Sequence, residues 1–199
     1  MIKAKIVGET HSSSKNVKRL EVMIKSGNYD ALFIEGRENN LFEKNTKPSL
    51  SYIFFLLGWA EWLLVQKLHA SKERVYEFVK ERNIPIYHSI DASFPEIFKM
   101  GNIFLRRFLF PILFFISSWA IFFDSPRILG YLLILFSPLL SFCVIVLTAN
   151  EKRDSYITNS IISTINSNKL SNVLVSCGSL HVSGIANNLK RAGIEVEAA

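Results

Sequence analysis

Gly-x-x-His-x-Ser occurs twice in this chain, as Gly8-Glu9-Thr10-His11-Ser12-Ser13 and as Gly178-Ser179-Leu180-His181-Val182-Ser183. A neutral imidazole offers one nitrogen lone pair to a metal ion, and a carboxylate behind it can fix the ring. Each copy follows a short apolar run, Ile2 to Val7 and Val173 to Val175, that reads as a buried strand of a parallel sheet. Each histidine is therefore expected just past a strand's carboxyl end, the edge where open α/β sheets bind ligands. A third run, Ala31-Leu32-Phe33-Ile34, ends at Glu35 in the same way. His11, Glu35 and His181 make a three-ligand set suited to a catalytic divalent ion such as zinc, manganese or cobalt. Glu35 would either ligate the ion or take the proton of an attacking water, and the residues alone do not choose.

The same joints admit plainer readings. Gly8 and Gly178 can supply an unusual backbone angle, and Ser13 and Ser183 can cap the helices that follow, with the histidines incidental. Exposed amides at those helix starts can instead attract a phosphate or carboxylate, but that leaves two histidines without a task, and no phosphate-loop lysine pattern is present. The repetition of His-x-Ser, with a carboxylate at a third strand end, favours a metal site. Arg153 can hold Glu35 through a two-donor fork, polarise a substrate carbonyl, or belong to a basic cluster beside a membrane. Glu61 stands in an apolar helix and needs a partner or a wet cavity, which leaves substrate contact and simple surface exposure both open. Asp91, close to His88, can orient a ligand histidine. His69 reads as a surface residue.

These residues need a scaffold, and 199 residues suffice for one α/β domain with a full core. Hydrophobic residues make up 49% and mean hydropathy is +0.24, which argues against disorder and leaves excess apolar surface in need of a home. Between Ile103 and Ala149 the only charges are Arg106, Arg107, Asp124 and Arg127, and the 22 residues from Ile128 to Ala149 carry none. That is membrane-spanning length. The segments Phe108 to Phe123 and Ile128 to Ala149, separated by Asp124-Ser125-Pro126-Arg127, predict a helical hairpin in a lipid bilayer, with a pair of buried core helices as the competing reading. Lys99, Arg106 and Arg107 before the block, and Lys152 and Arg153 after it, suit flanks facing the cytoplasm. The net charge of +6 is otherwise scattered, without the aromatic-interleaved stripe of a nucleic-acid surface. Cys143 and Cys177 give neither a disulfide framework nor a zinc pattern. The chain opens on a strand rather than a secretory leader.

The expected architecture is α/β, mainly a parallel sheet with flanking helices, interrupted by the apolar hairpin. Residues 1–102 and 150–199 form one domain, and residues 103–149 the insertion. A helix over Lys15 to Lys25 places Val17, Leu20 and Ile24 on one face, and Gly27 ends it. A polar loop is expected from Gly36 to Pro48, helices over Leu50 to Leu68 and Ser71 to Arg82, and a strand over Ile84 to Tyr87. A new helix is expected from Asn150 to about Ile165, then another from Gly184 to Arg191 that Gly193 ends, before a closing strand at Ile194 to Val196.

Four segments resemble motifs of the TraB family, which includes bacterial pheromone-shutdown proteins and the animal Tiki membrane proteins. Gly8-Glu9-Thr10-His11 resembles the first Gly-x-x-His, and Phe33-Ile34-Glu35-Gly36-Arg37 the acidic strand end. Asn150-Glu151-Lys152-Arg153-Asp154 is similar to the Arg-Asp/Asn segment, and Gly178 to Ile185 to the second Gly-x-x-His with its following Gly-Ile. The resemblance implies a membrane protein with a metal-dependent protease site, in which His11, Glu35 and His181 bind metal or act in catalysis and Arg153 and Asp154 support them. A peptide or protein substrate is implied, for a hydrolase. The alternative is a non-catalytic membrane regulator that binds or sequesters a peptide or anionic ligand in the same pocket.

Overall fold

A computed structural model describes residues 2–9, 14–36, 48–67, 83–88, 90–122 and 127–198. His11, Ser13, His69, the helix expected over Ser71 to Arg82 and the Asp124-Ser125-Pro126 turn lie outside these residues, as does most of the loop expected after Gly36. The strands are β1 (Lys3–Glu9), β2 (Ala31–Ile34), β3 (Ile86–Tyr87), β4 (Asn172–Gly178) and β5 (Glu195–Ala198). The described helices are α1 (Ser14–Ser26), α2 (Leu50–Lys67), α3 (Phe94–Met100), α4 (Ile103–Phe122), α5 (Arg127–Asn168) and α6 (Val182–Arg191). By packing, the chain divides into two units. One comprises Met1–Asn39, Leu68–Ala92 and Asn150–Ala199, and the other Asn40–Lys67 and Ser93–Ala149.

The first unit is built on a five-stranded sheet of order β3-β2-β4-β1-β5, with every pair parallel. Its strands are apolar on both faces because both are covered. Leu32, Ile34, Leu174 and Val7 pack against Leu20 and Ile24 of α1. Ala31, Phe33, Val173 and Val175 pack with Ile157, Ile161 and Ile165 of α5 and Ile185 and Leu189 of α6. The parallel sheet with flanking helices is thus the one the apolar runs predict. The neighbours β1 and β4 send their helices to opposite faces, α1 to one and α6 to the other, and their carboxyl ends are in register, Glu9 beside Gly178. In open α/β sheets such a divergence opens a crevice at the strand ends.

At the sheet's opposite edge, Asp30 Oδ2 accepts hydrogen bonds from the Ser171 amide at 2.7 Å, the Ser171 hydroxyl at 2.8 Å and the Asn172 amide at 2.9 Å. The Ser171 amide, followed by its hydroxyl and the Asn172 amide, holds the Asp30 carboxyl below its usual value. A depressed native pKa gives stability that is present above the unfolded value of about 3.9 and lost as pH falls through the native one. Asp30→Ala should therefore cost about 1 kcal/mol at pH 7, after allowance for the side chain's exposure, and the deficit should shrink toward pH 3. Denaturant unfolding of both proteins at the two pH values measures this.

The helix expected to end at Ala149 does not. α5 runs unbroken for 42 residues, about 63 Å at 1.5 Å per residue. Asn150 marks a change in hydropathy, but no glycine or proline follows to stop the helix before Asn168. It ends where Lys169 takes a left-handed conformation, φ 53°, and the Leu170 amide reaches back to the Ile165 carbonyl at 3.1 Å. Gly193, φ 81°, ends α6 in the same manner, as its position predicts.

The second unit holds α2, α3, α4 and the first part of α5. α4 and α5 are each long and apolar enough to cross a membrane. In their most apolar windows only 11% and 33% of residues, respectively, are buried by protein. Phe104, Phe108, Phe115, Trp119, Ile128, Leu132 and Leu135 are all exposed.

Candidate active site

Glu35 follows β2 directly. Its amide donates to Ser176 of β4 at 2.8 Å, which extends the ladder one residue past the strand and brings the side chain to the sheet's carboxyl edge. The next carbonyl, of Gly36, accepts from the Asp91 amide at 3.0 Å and tethers the segment after β3. Gly178 to His181 form a tight turn closed by the His181 amide on the Gly178 carbonyl at 2.8 Å, so His181 stands at the first turn of α6. Arg153 and Asp154 come from α5. Five side chains of the first unit therefore gather from β2, the segment after β3, α5 and the β4–α6 turn.

Arg153 is 2% exposed and its fork is shared between two carboxylates. Nε donates to Asp91 Oδ1 at 3.2 Å and Nη2 to Asp91 Oδ2 at 2.5 Å, while Nη2 also reaches Glu35 Oε1 at 3.1 Å. Burial works against the guanidinium charge, but Asp91 first, then Glu35 and Asp154, more than offset it and hold Arg153 above its usual value. Asp91 Oδ1 also accepts from the Ala92 amide at 2.8 Å. Glu35 Oε2 accepts from the Gly178 amide at 2.5 Å, so both carboxylate oxygens are fixed.

His181 is held from behind. Nδ1 lies 2.5 Å from Asp154 Oδ1, and both residues are buried. An Nδ1–H donated to that carboxylate leaves the Nε2 lone pair on the ring's other side. Nε2 lies 3.7 Å from Glu35 Oε1. That is too long for a hydrogen bond, so two electron-pair donors face each other with no direct bond between them. α6 approaches closely because residue 184 is glycine, and a Cβ there would overlap the Asp154 carboxylate. Gly8 meets Val182 and Ser179 in the same way.

A cation bound at about 2.0–2.2 Å from each donor can span a gap of this size. The donor set is nevertheless incomplete among the described residues, where no three His, Cys, Asp or Glu side chains stand ready for a metal. For a metal to bind here, a third ligand would have to come from outside the described residues. His11, two residues past the strand end that pairs with Gly178, is the residue the sequence offers.

The structure redistributes several roles. Asp91 is not the carboxylate on His181 Nδ1. It grips Arg153, and Asp154 takes the histidine, a pairing the sequence reading missed although Asp154 was singled out with Arg153. Arg153, counted among the basic flanks, is buried among carboxylates and cannot face lipid headgroups, whereas Lys152 is exposed. Ser183 is exposed inside α6, whose cap position is His181, so it is not the helix cap. His88 is exposed, and Glu61 belongs to the second unit. The signal for Asp154 was the glycine three residues after His181, since a helix that surrenders a side chain in its first turn does so for something that must come close.

Compared with protein-family models, with curated proteins and with solved structures, the chain finds no match in any of the three.

Proposed function

We propose that the chain is a membrane-anchored, TraB-like hydrolase that cleaves a peptide bond with a divalent metal ion, its α/β unit facing the cytoplasm. The observation that carries the reading is the 3.7 Å separation of His181 Nε2 and Glu35 Oε1, each backed by a buried charged partner. Groups this costly to bury and this well braced suit a preorganised site. His181 Nε2 and His11 would hold the ion, with Glu35 as third ligand or as base. Such an ion, when bound, polarises a carbonyl and makes water a better nucleophile at neutral pH. Asp154 fixes the tautomer of His181 so that Nε2 keeps its lone pair. Arg153 and the Gly178 amide each hold one Glu35 oxygen and so aim the carboxylate, while Asp91 braces the guanidinium. As the base, Glu35 would receive the water's proton and pass it to the leaving amine.

The apolar, mostly unburied surfaces of α4 and α5 support anchoring by two spans, with Lys99, Arg106 and Arg107 at the cytoplasmic boundary. The test is hydrolysis of a fluorogenic peptide library by the full chain in detergent. Cleavage should vanish on chelation, return with zinc, manganese or cobalt, and fall by about 10²–10⁴-fold in Glu35→Gln. Equal rates for wild type and Glu35→Gln would remove Glu35 from catalysis, and no metal-dependent cleavage by wild type would leave a binding protein.

A further inference from the structure

Glu61 is the one acidic residue of α2, whose sequence Leu50–Lys67 is otherwise apolar over most of its length. α2 meets α5 at a proline. Pro138 lies inside α5, and Gly58 of α2 comes so near it that a Cβ at 58 would overlap the Pro138 carbonyl and the Cβ of Phe142. Proline brings no amide to the Ile134 carbonyl, and the Ser137 hydroxyl donates there instead at 3.0 Å. The next amide, that of Leu139, is hydrogen-bonded to the Glu61 carboxyl. The second oxygen, Oε2, is buried and has no hydrogen-bond partner among the described residues.

We propose that Glu61, set against Pro138 in α5, forms a proton-binding site within the apolar unit. The ligand follows from the chemistry around it. A metal or alkali cation wants several oxygens, but here one carboxylate oxygen already faces an N–H donor and the other faces no donor or acceptor among the described residues. Arg127, Tyr131 and Cys143 are the titratable groups of α5 before Asn150, and Arg106 and Arg107 those of α4. Glu96 and Lys99 are those of α3, which also packs against α2. The influences on Glu61 are burial and the Leu139 amide, and none of these residues is among them. A half-buried carboxylate with one oxygen out of water, and no counter-ion among the described residues, is costly to keep charged, and a proton removes that cost. A proline that removes one hydrogen bond from a continuous helix is a place where apolar helices admit such a group.

The inference rests on the bilayer reading of α4 and α5, and the experiment separates the two. Membranes carrying the full chain are treated at pH 7 with a hydrophobic carbodiimide, which adds to protonated carboxyls, and the adduct is located by peptide mass spectrometry. Glu61 should be labelled at least about tenfold more than exposed Glu151 or Glu195. A water-soluble carbodiimide should miss it, the adduct should fall as pH rises, and Glu61→Gln should abolish it. Absence of the adduct from Glu61 in membrane-retained protein, or labelling by both reagents alike, would overturn the proton site while leaving the bilayer reading intact. Protection of Glu61 by sodium would overturn it in favour of a cation site. Release of the chain by alkaline carbonate would contradict the bilayer reading, and the proton site with it.

Discussion

Replacing Arg153 by methionine should destabilise the α/β unit by about 3–5 kcal/mol, because it strips the buried Asp91 and Glu35 carboxylates of their shared cation. Methionine fills similar volume, so the loss is electrostatic rather than a cavity. The sign with pH follows from the charges. Protonating the orphaned carboxylates relieves the strain, so the gap between variant and wild type should narrow as pH falls toward the carboxylate range. Arg153→Lys keeps the charge but cannot reproduce a planar fork that serves both oxygens of Asp91 and one of Glu35, so it should lose stability and activity too. Lys152→Ala, one residue away and exposed, should stay within about 0.5 kcal/mol of wild type. Thermal and denaturant unfolding of the three variants checks all of this. Equal, small effects of Arg153→Lys and Lys152→Ala would show that the two-donor fork of Arg153 is not needed by the fold or the site.

Asp154→Asn should lower hydrolysis by about 10²–10⁴-fold with little change in fold, since the amide can occupy the same space but offers the wrong hydrogen-bond polarity to His181 Nδ1. The imidazole would then be free to present a proton, not a lone pair, toward Glu35. The readout is the split between kcat and KM. A tautomer defect lowers kcat and the affinity for added metal, whereas a general loosening of the crevice raises KM. Retained kcat in Asp154→Asn would show that the Asp154–His181 contact only braces the fold.

Much of this site was legible because it sits where periodic signals stop. Apolar runs of strand length ended at Glu35 and at Gly178, and a parallel sheet puts such ends on one edge. Arg153 stood out as an arginine beside a membrane-length segment. What stayed hidden was pairing across long chain separations. Asp91 and Arg153 are 62 residues apart and Glu35 and Arg153 118 apart, and which carboxylate takes which partner is decided by how α5 lies over the sheet. The side chains of Arg153 and Asp154 leave a helix about 100° apart, so one can serve Asp91 and Glu35 while its neighbour serves His181. Helix composition does not tell which does which. The continuity of α5 was hidden for a different reason, since the shift at Asn150 from apolar to polar residues reports a change of surroundings, and helices end on backbone signals that come only at Lys169.

The central claim is that His181 and Glu35 face a metal ion, and elemental analysis of the purified full chain tests it most directly. After purification without chelator, or after loading with zinc, manganese or cobalt and desalting, wild type should retain about one ion per chain. His181→Gln and His11→Ala should each retain much less while unfolding at temperatures close to wild type. Metal-free wild type that takes up none of the three ions, or equal retention by wild type and His181→Gln, would contradict the account.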